Sequence, residues 1–421
     1  MRARTSKRWS VFFVLPLIVG TALSLVLFQL ARDRSTWDLW KGYLPYGQWP
    51  GYGDLAVTLE HLSEASLGGD PLSDPKSEFG YPRAILVLHH LGIHHISAIW
   101  LGLLQSILAV GGIVLVIRPR NLWQSIATAL LFACPPILLG FERANLDFIL
   151  FLLCAGCAAA WARAQTLPGL MVPVAGLLLG AIAKLHPVFA LGAGAFVEQG
   201  RRRLIWLLGL GLLLLFWVYT YEDFALISKK LPTSSFWGSW GCVPLFLRVE
   251  RFFDQREAYS WLWNTKWELV AVLTYTVTGA LAFATGTMQS HRFQSTVVGP
   301  RDYAYYWIGA AICCGSFAGA NIAYRWIFVL LTIPLLGRTA SSDVRAVAMW
   351  SRITIIAIAM SLAAPLHAHR GMFLVTQFAN WTCIHLLIAG CAAMRVSVNP
   401  FQRSRRKIES QAVIREEVTH Q

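Results

Sequence analysis

Apolar runs long enough to cross a lipid bilayer recur along the whole of this chain, and they constrain its fold more than any single motif does. About 20 apolar residues in a helix are needed to cross the hydrocarbon core. With 56% hydrophobic and only 14% charged side chains in 421 residues, most of the chain is committed to such runs. They cover residues 9–30, 96–117, 122–140, 146–162, 168–183, 185–199, 204–221, 267–287, 303–320, 326–337, 347–364 and 372–394. The pattern predicts an all-α polytopic membrane protein with about twelve transmembrane helices. The first run follows Arg2, Arg4, Lys7 and Arg8 but has no small-residue cleavage site, so it reads as a retained span. Of the eight cysteines, most lie inside apolar runs and Cys242 is alone in its loop, so neither a disulfide framework nor a zinc site is expected.

Lys and Arg in short loops set the orientation, because cationic loops resist translocation. Arg2 to Arg8, Arg118, Arg120, Arg163, Arg201 to Arg203, Arg292, Arg301, Arg338, Arg345 and the tail Arg403 to Lys407 all fall on one side, which predicts cytoplasmic termini. The net charge of +14 then marks topology and contact with anionic lipid headgroups, and no nucleic acid is expected as a partner. Two pairs of spans follow from parity: 168–199 is divided at Lys184-Leu185-His186-Pro187, and 303–337 at Asn321 to Arg325. The expected parts beyond the spans are an outer loop over 31–95, an aromatic outer loop over 222–266 and a basic cytoplasmic tail over 396–421.

This orientation places one cation in each short outer turn: Arg143 with Asn145 and Asp147, Lys184 with His186, Arg325 after Tyr324, and Arg370 after His367 and His369. A guanidinium or ammonium near the hydrocarbon boundary is costly unless paired, so such cations suit an anion such as a lipid-borne phosphate. The competing reading is that each snorkels to headgroups or pairs with a local acid such as Glu142.

The first outer loop holds an acidic amphipathic stretch. After Gly53, Leu55, Leu59 and Leu62 form an apolar stripe, and Asp54, Thr58 and His61 an adjacent one, as in an interfacial helix. Asp54 reads either as the helix N-cap or as a carboxylate facing a polar substrate. His89, His90, His94 and His95 have no carboxylate or thiolate at helical spacing, so no metal is expected there. Loop 222–266 carries Trp237, Trp240 and other aromatics, which fit a membrane-boundary belt or a lid with flat faces for sugar rings.

Asp54-Leu55, Gly68-Gly69-Asp70-Pro71 and Tyr81-Pro82, followed by Ala144-Asn145-Leu146-Asp147 and Gly180 to Pro187, resemble the ordered motifs of glycosyltransferase family 87, within the GT-C membrane glycosyltransferases. The resemblance covers most of residues 50–205. Arg83 departs from it, standing where the family often has a second proline, and Asn321 to Arg325 stands where some members place a His-containing motif.

The resemblance implies a GT-C-like fold with interfacial helices in the first outer loop. It also implies transfer of a hexose, commonly mannose, from a polyprenyl-phosphate donor to a lipid or glycan acceptor on the extracytoplasmic face of the cell membrane. Neither cofactor nor metal is implied. Asp54 is then the general base of an inverting transfer. Lys184 and Arg325, with His186, Arg143 and Arg370, are the residues for the donor phosphate, and Thr58, His61, Asn145, Tyr324, Trp237 and Trp240 line the substrate site. A flippase for a lipid-linked sugar and a polymerase or ligase using diphosphate-linked glycans are the alternatives; in the second, Arg325 and Arg370 would matter more than Asp54.

Overall fold

The computed structural model describes residues 9–41, 43–44, 49–74, 77, 79–230, 239–246, 267–293, 298–318, 321–363 and 370–397. The first half forms α1 (Trp9–Arg32), α2 (Arg34–Trp40), α3 (Gly53–Ser66), α4 (Ala98–Ile117), α5 (Leu122–Leu131), α6 (Pro135–Arg143), α7 (Asp147–Arg163), α8 (Leu167–Ala183), α9 (Val188–Val197), α10 (Gly200–Tyr219) and α11 (Tyr221–Lys230). After the second loop come α12 (Trp267–Met288), α13 (Pro300–Phe317), α14 (Ile333–Thr339), α15 (Arg345–Ala363) and α16 (Arg370–Ser397). Arg83–Leu91, Ile93–His95, Ser290–Phe293 and Ala323–Thr332 are 3₁₀ segments. Among the described residues the sheet content is one antiparallel pairing of β1 (Ser239–Trp240) with β2 (Asn321–Ile322).

The chain is thus an all-helical membrane protein. Among the described residues, six helices are long and apolar enough to cross a bilayer: α1, α4, α10, α12, α15 and α16. Helices α5 and α6 make a seventh crossing if their pair, bent by 52° at residues 132–134, is one span. The bend has a local cause, because Pro135 and Pro136 open α6 and cannot continue the hydrogen-bond ladder of α5. Each apolar run predicted from the sequence contains helix among its described residues, but not every helix is long enough to cross on its own. Helix α9 has ten residues, or about 15 Å at 1.5 Å per residue, which is half the hydrocarbon thickness.

Exposure around the long helices follows the same logic. Leu204, Leu208, Leu212 and Leu215 of α10, and Leu269, Leu273, Val277 and Leu281 of α12, are exposed apolar side chains as expected of a lipid-facing surface. Buried instead is a central group of helices. Helix α13 packs against α7, α9 and the 3₁₀ segment 323–332, whose residues Trp326 to Leu331 are all fully enclosed.

One end of the bundle is fastened by a buried ion pair. Glu198 Oε1 and Oε2 accept from Arg202 Nη2 at 2.8 Å and Nε at 2.9 Å, and Oε1 also accepts from Trp161 Nε1 at 2.8 Å. Arg202 Nη1 donates to the Ala164 carbonyl at 2.9 Å. This ties the end of α7 to the α9–α10 turn. Removing one partner of such a pair leaves a buried charge uncompensated, at a cost of about 3–5 kcal/mol. Glu198→Ala is therefore expected to lower the thermal unfolding midpoint in detergent markedly, and an unchanged midpoint would show that Arg202 reaches water without it.

Candidate functional site

Three separate stretches converge beside the head of α3. Tyr52, before the helix, has a left-handed backbone (φ 59°), and its amide donates to the Glu142 carbonyl at 2.7 Å. Its ring is fully buried against Gly102 of α4, where a Cβ would come within 2.6 Å of the ring. Gly53 follows, and a Cβ there would meet the Arg143 guanidinium at 2.4 Å. Glycine at these two positions is what lets α3 approach α4 and α6 so closely.

Asp54 is in the first turn of α3, yet it makes no N-cap hydrogen bond to that helix; the capping position belongs to Tyr52, which has no side-chain cap. Instead Asp54 Oδ1 accepts from Arg143 Nε at 2.8 Å, and Oδ2 from Asn145 Nδ2 at 2.6 Å. Its side chain keeps 24% of its surface exposed. Each carboxylate oxygen has a second lone pair for a further donor.

Asn145 is buried, and all of its polar groups are engaged. Its amide N–H donates to the Gly140 carbonyl, and its carbonyl accepts from Gln105 Nε2 at 2.6 Å and from the Phe148 amide. Its side-chain oxygen accepts from the Asp147 amide and from Lys184 Nζ, both at 3.0 Å. Two donors on that oxygen fix the amide's orientation, and the nitrogen must then point at Asp54. Ala144, which precedes it, is also left-handed (φ 47°) and closes α6. The strain of two such non-glycine residues, of order 1–3 kcal/mol each, is concentrated at this junction.

Behind Asn145 is a carboxylate that the sequence placed in an outer turn without giving it a role. Asp147 is completely buried, and three basic side chains converge on it: Lys184 Nζ at 2.8 Å, His186 Nε2 at 3.1 Å and Arg325 Nε at 3.7 Å. The helices explain the meeting. Helices α7 and α8 pack as a hairpin, so the acid in the first turn of α7 adjoins the residues that end α8. Both charges lie at the helix ends whose dipoles favour them. His186 also packs edge-on against Phe328 of the 3₁₀ segment, with ring centroids 5.1 Å apart. The signal for Asp147 was the cations themselves: three bases retained at a membrane boundary imply a counter-ion, and Asp147 is the acid that opens the adjacent apolar run.

The expected residues are distributed as follows. Asp54, Arg143 and Asn145 form one direct contact set, and Lys184, His186 and Arg325 meet on Asp147. Thr58 adjoins the first set, donating to the Asp54 carbonyl at 2.7 Å. His61 faces elsewhere: its ring contacts Glu64 and Ser77 and stacks edge-on against Phe79 in a small core of the outer loop. Trp237 lies outside the described residues, as do the side chains of Trp240, Tyr324 and Arg370. The backbone of the second loop nevertheless reaches the site, because Trp240 pairs with Asn321 and the Cys242 amide donates to the Phe317 carbonyl at 2.7 Å.

Arg83, the departure from the Tyr-Pro-Pro pattern, has a structural role that proline could not fill. Its backbone amide donates to Asp223 Oδ2 at 2.8 Å and its guanidinium to Asp223 Oδ1. Nε and Nη2 donate to Asp70 Oδ2 at 3.0 and 2.7 Å, and Nη2 also to Ser73 Oγ at 2.8 Å. These bonds hold the Asp70 carboxyl below its usual range.

Comparison with protein-family profiles, with characterised proteins and with solved structures gives no match.

Because Asp147 is the only counter-charge given to Lys184, His186 and Arg325 among the described ion pairs, Asp147→Asn is expected to be far more damaging than a surface change, with a loss of about 3–5 kcal/mol. Adding Lys184→Met should recover part of it. The two effects adding independently in thermal unfolding would overturn the coupling.

Proposed function

We propose that the protein is a membrane glycosyltransferase that moves a hexose, mannose by the family resemblance, from a polyprenyl-phosphate donor to a hydroxyl of a lipid or glycan acceptor on the extracytoplasmic face, with inversion. The observation that carries this reading is the single side chain of Asn145 joining a partly exposed carboxylate, Asp54, to a cluster of cations gathered on Asp147.

In the proposed step, the acceptor oxygen attacks the anomeric carbon as Asp54 takes its proton. The bond from that carbon to the phosphate oxygen breaks on the opposite side, and polyprenyl phosphate leaves. A placed base contributes about 10²–10⁴-fold. Arg143 and Asn145 orient the carboxylate, and Thr58 lies one turn along the same helix. Arg325 is the phosphate cation with most freedom, because it is the most distant of the three from Asp147 and 23% of its side chain is exposed. Lys184, bound to both Asp147 and Asn145, holds the two halves of the site together and adds positive potential.

A sugar phosphodiester of a polyprenol carries one negative charge and the monoester released carries more, so Arg325, with Lys184 beside it on Asp147, would stabilise charge that grows during transfer.

The proposed topology has about twelve crossings with both ends of the chain in the cytoplasm. The 3₁₀ segment 323–332 and α14 supply ten and seven residues, together roughly 30 Å at their respective rises, which is the length of one crossing. Tags at Pro75 and Ser410 are expected on opposite sides of the membrane in a labelling assay with an impermeant reagent; labelling of both from one side would overturn the orientation.

Purified protein in detergent is expected to transfer hexose from polyprenyl-phosphate-hexose to an acceptor, and Asp54→Asn to reduce the rate by about 10²-fold or more while donor binding persists. Wild-type transfer by Asp54→Asn would remove the base assignment. Flux of the sugar lipid through proteoliposomes with no glycosidic product would favour a flippase.

A further inference from the structure

The first outer loop has a small core of its own, and the residue it presents to the site is Tyr81. Leu59 and Leu62 of α3, Leu72, Phe79 and Leu86 are buried together with Ile227 of α11, and Tyr81 packs against this cluster. Residues from both outer loops therefore share one apolar contact. The polar fastening beside it is Arg83, which engages Asp223 at the start of α11 through both its backbone and its guanidinium, and Asp70 through two nitrogens. Only Pro82, with its ring-fixed backbone, separates Arg83 from Tyr81.

So held, the Tyr81 ring lies over Lys184 Nζ, 5.8 Å from the centroid, and its hydroxyl lies in the field of Asp54, Asp147 and Arg325. A phenol hydroxyl can donate as well as accept, so it can pair with a sugar hydroxyl in either sense.

We propose that Tyr81 is a substrate-contacting residue whose phenol hydroxyl hydrogen-bonds a hydroxyl of the transferred hexose, and that Arg83 is the positioning residue that keeps it there. The placement follows from the transfer geometry: the sugar must lie between the base and the cations of the leaving phosphate, and Tyr81 packs against the helix that carries Asp54 and over Lys184. Burial raises the phenol's pKa, so it stays a neutral hydroxyl at physiological pH. The inference rests on the transferase reading, and it assigns the sugar, as distinct from the lipid phosphate, to Tyr81.

Two probes separate the roles: polyprenyl-phosphate-hexose and the bare polyprenyl phosphate, titrated against full-length protein in detergent. Tyr81→Phe is expected to weaken the sugar-bearing lipid by about fivefold, the scale of one neutral hydrogen bond, and to leave the bare lipid unchanged. Arg83→Met and Asp223→Ala should give the same split, with Arg83→Lys partly restoring the sugar term. Equal loss of both lipids by Tyr81→Phe, or no loss of either, overturns the sugar contact. Should Arg83→Met fail to fold, Asp223→Ala and Arg83→Lys carry the positioning test, and wild-type sugar affinity in both overturns it. Wild-type protein that binds neither lipid removes the transferase reading and this inference together, whereas wild-type protein that transfers sugar while Tyr81→Phe keeps both affinities removes the inference alone.

Discussion

The site depends on the orientation of one primary amide. Asn145 has no spare polar group: backbone and side chain together reach α3, α4, α6, α7 and the end of α8. In water an amide exchanges partners freely. Here, two donors on its oxygen leave the nitrogen one direction, toward Asp54. The carboxylate is therefore oriented by the folded bundle itself, and under the proposed transferase reading that preorganisation is the main electrostatic contribution to the transfer. Replacing the amide would remove the one side chain that links Asp54 to Lys184 and, through it, to Asp147.

The buried Asp147 changes the meaning of the cations around it. As isolated charges at a membrane boundary they would have to be neutralised by ligand or headgroup. Gathered on a carboxylate, they tolerate an empty site and still leave a net positive field when one of them turns outward. Lys184 and His186 come from a single turn between α8 and α9, whereas Arg325 comes from the 3₁₀ segment 323–332, which packs on α6, α7 and α13. Formation of this cluster thus ties the α8–α9 turn to the 3₁₀ segment that carries Arg325.

Much of this was legible in the sequence, for identifiable reasons. Apolar run length marked the helices, and cations between the runs marked the turns that supply Arg143, Lys184, His186 and Arg325. Motif order brought Asp54 and Asn145 together before any coordinates did. What composition could not supply was pairing. Asp147 looked like a helix-start acid because its three partners lie roughly 40 and 180 residues downstream in the sequence. His61 shares a helical stripe with Asp54, but α3 is only part of the loop, and Phe79 and Ser77 cover that end of the stripe. Run length likewise does not give helix length: within the apolar run 185–199 the helix has ten residues, because it starts only after Pro187.

The 3₁₀ winding of residues 323–332 determines how far Arg325 reaches. Between Arg325 and Thr332 the chain advances about 2.0 Å per residue instead of the 1.5 Å of an α-helix. Those seven steps, anchored at the fully buried Thr332, would be about 3.5 Å shorter in α form. That retraction is comparable with the whole 3.7 Å separation of Arg325 from Asp147. The tighter, longer coil is thus the segment's ruler: it sets whether the guanidinium touches the carboxylate cluster or falls a full atomic diameter short.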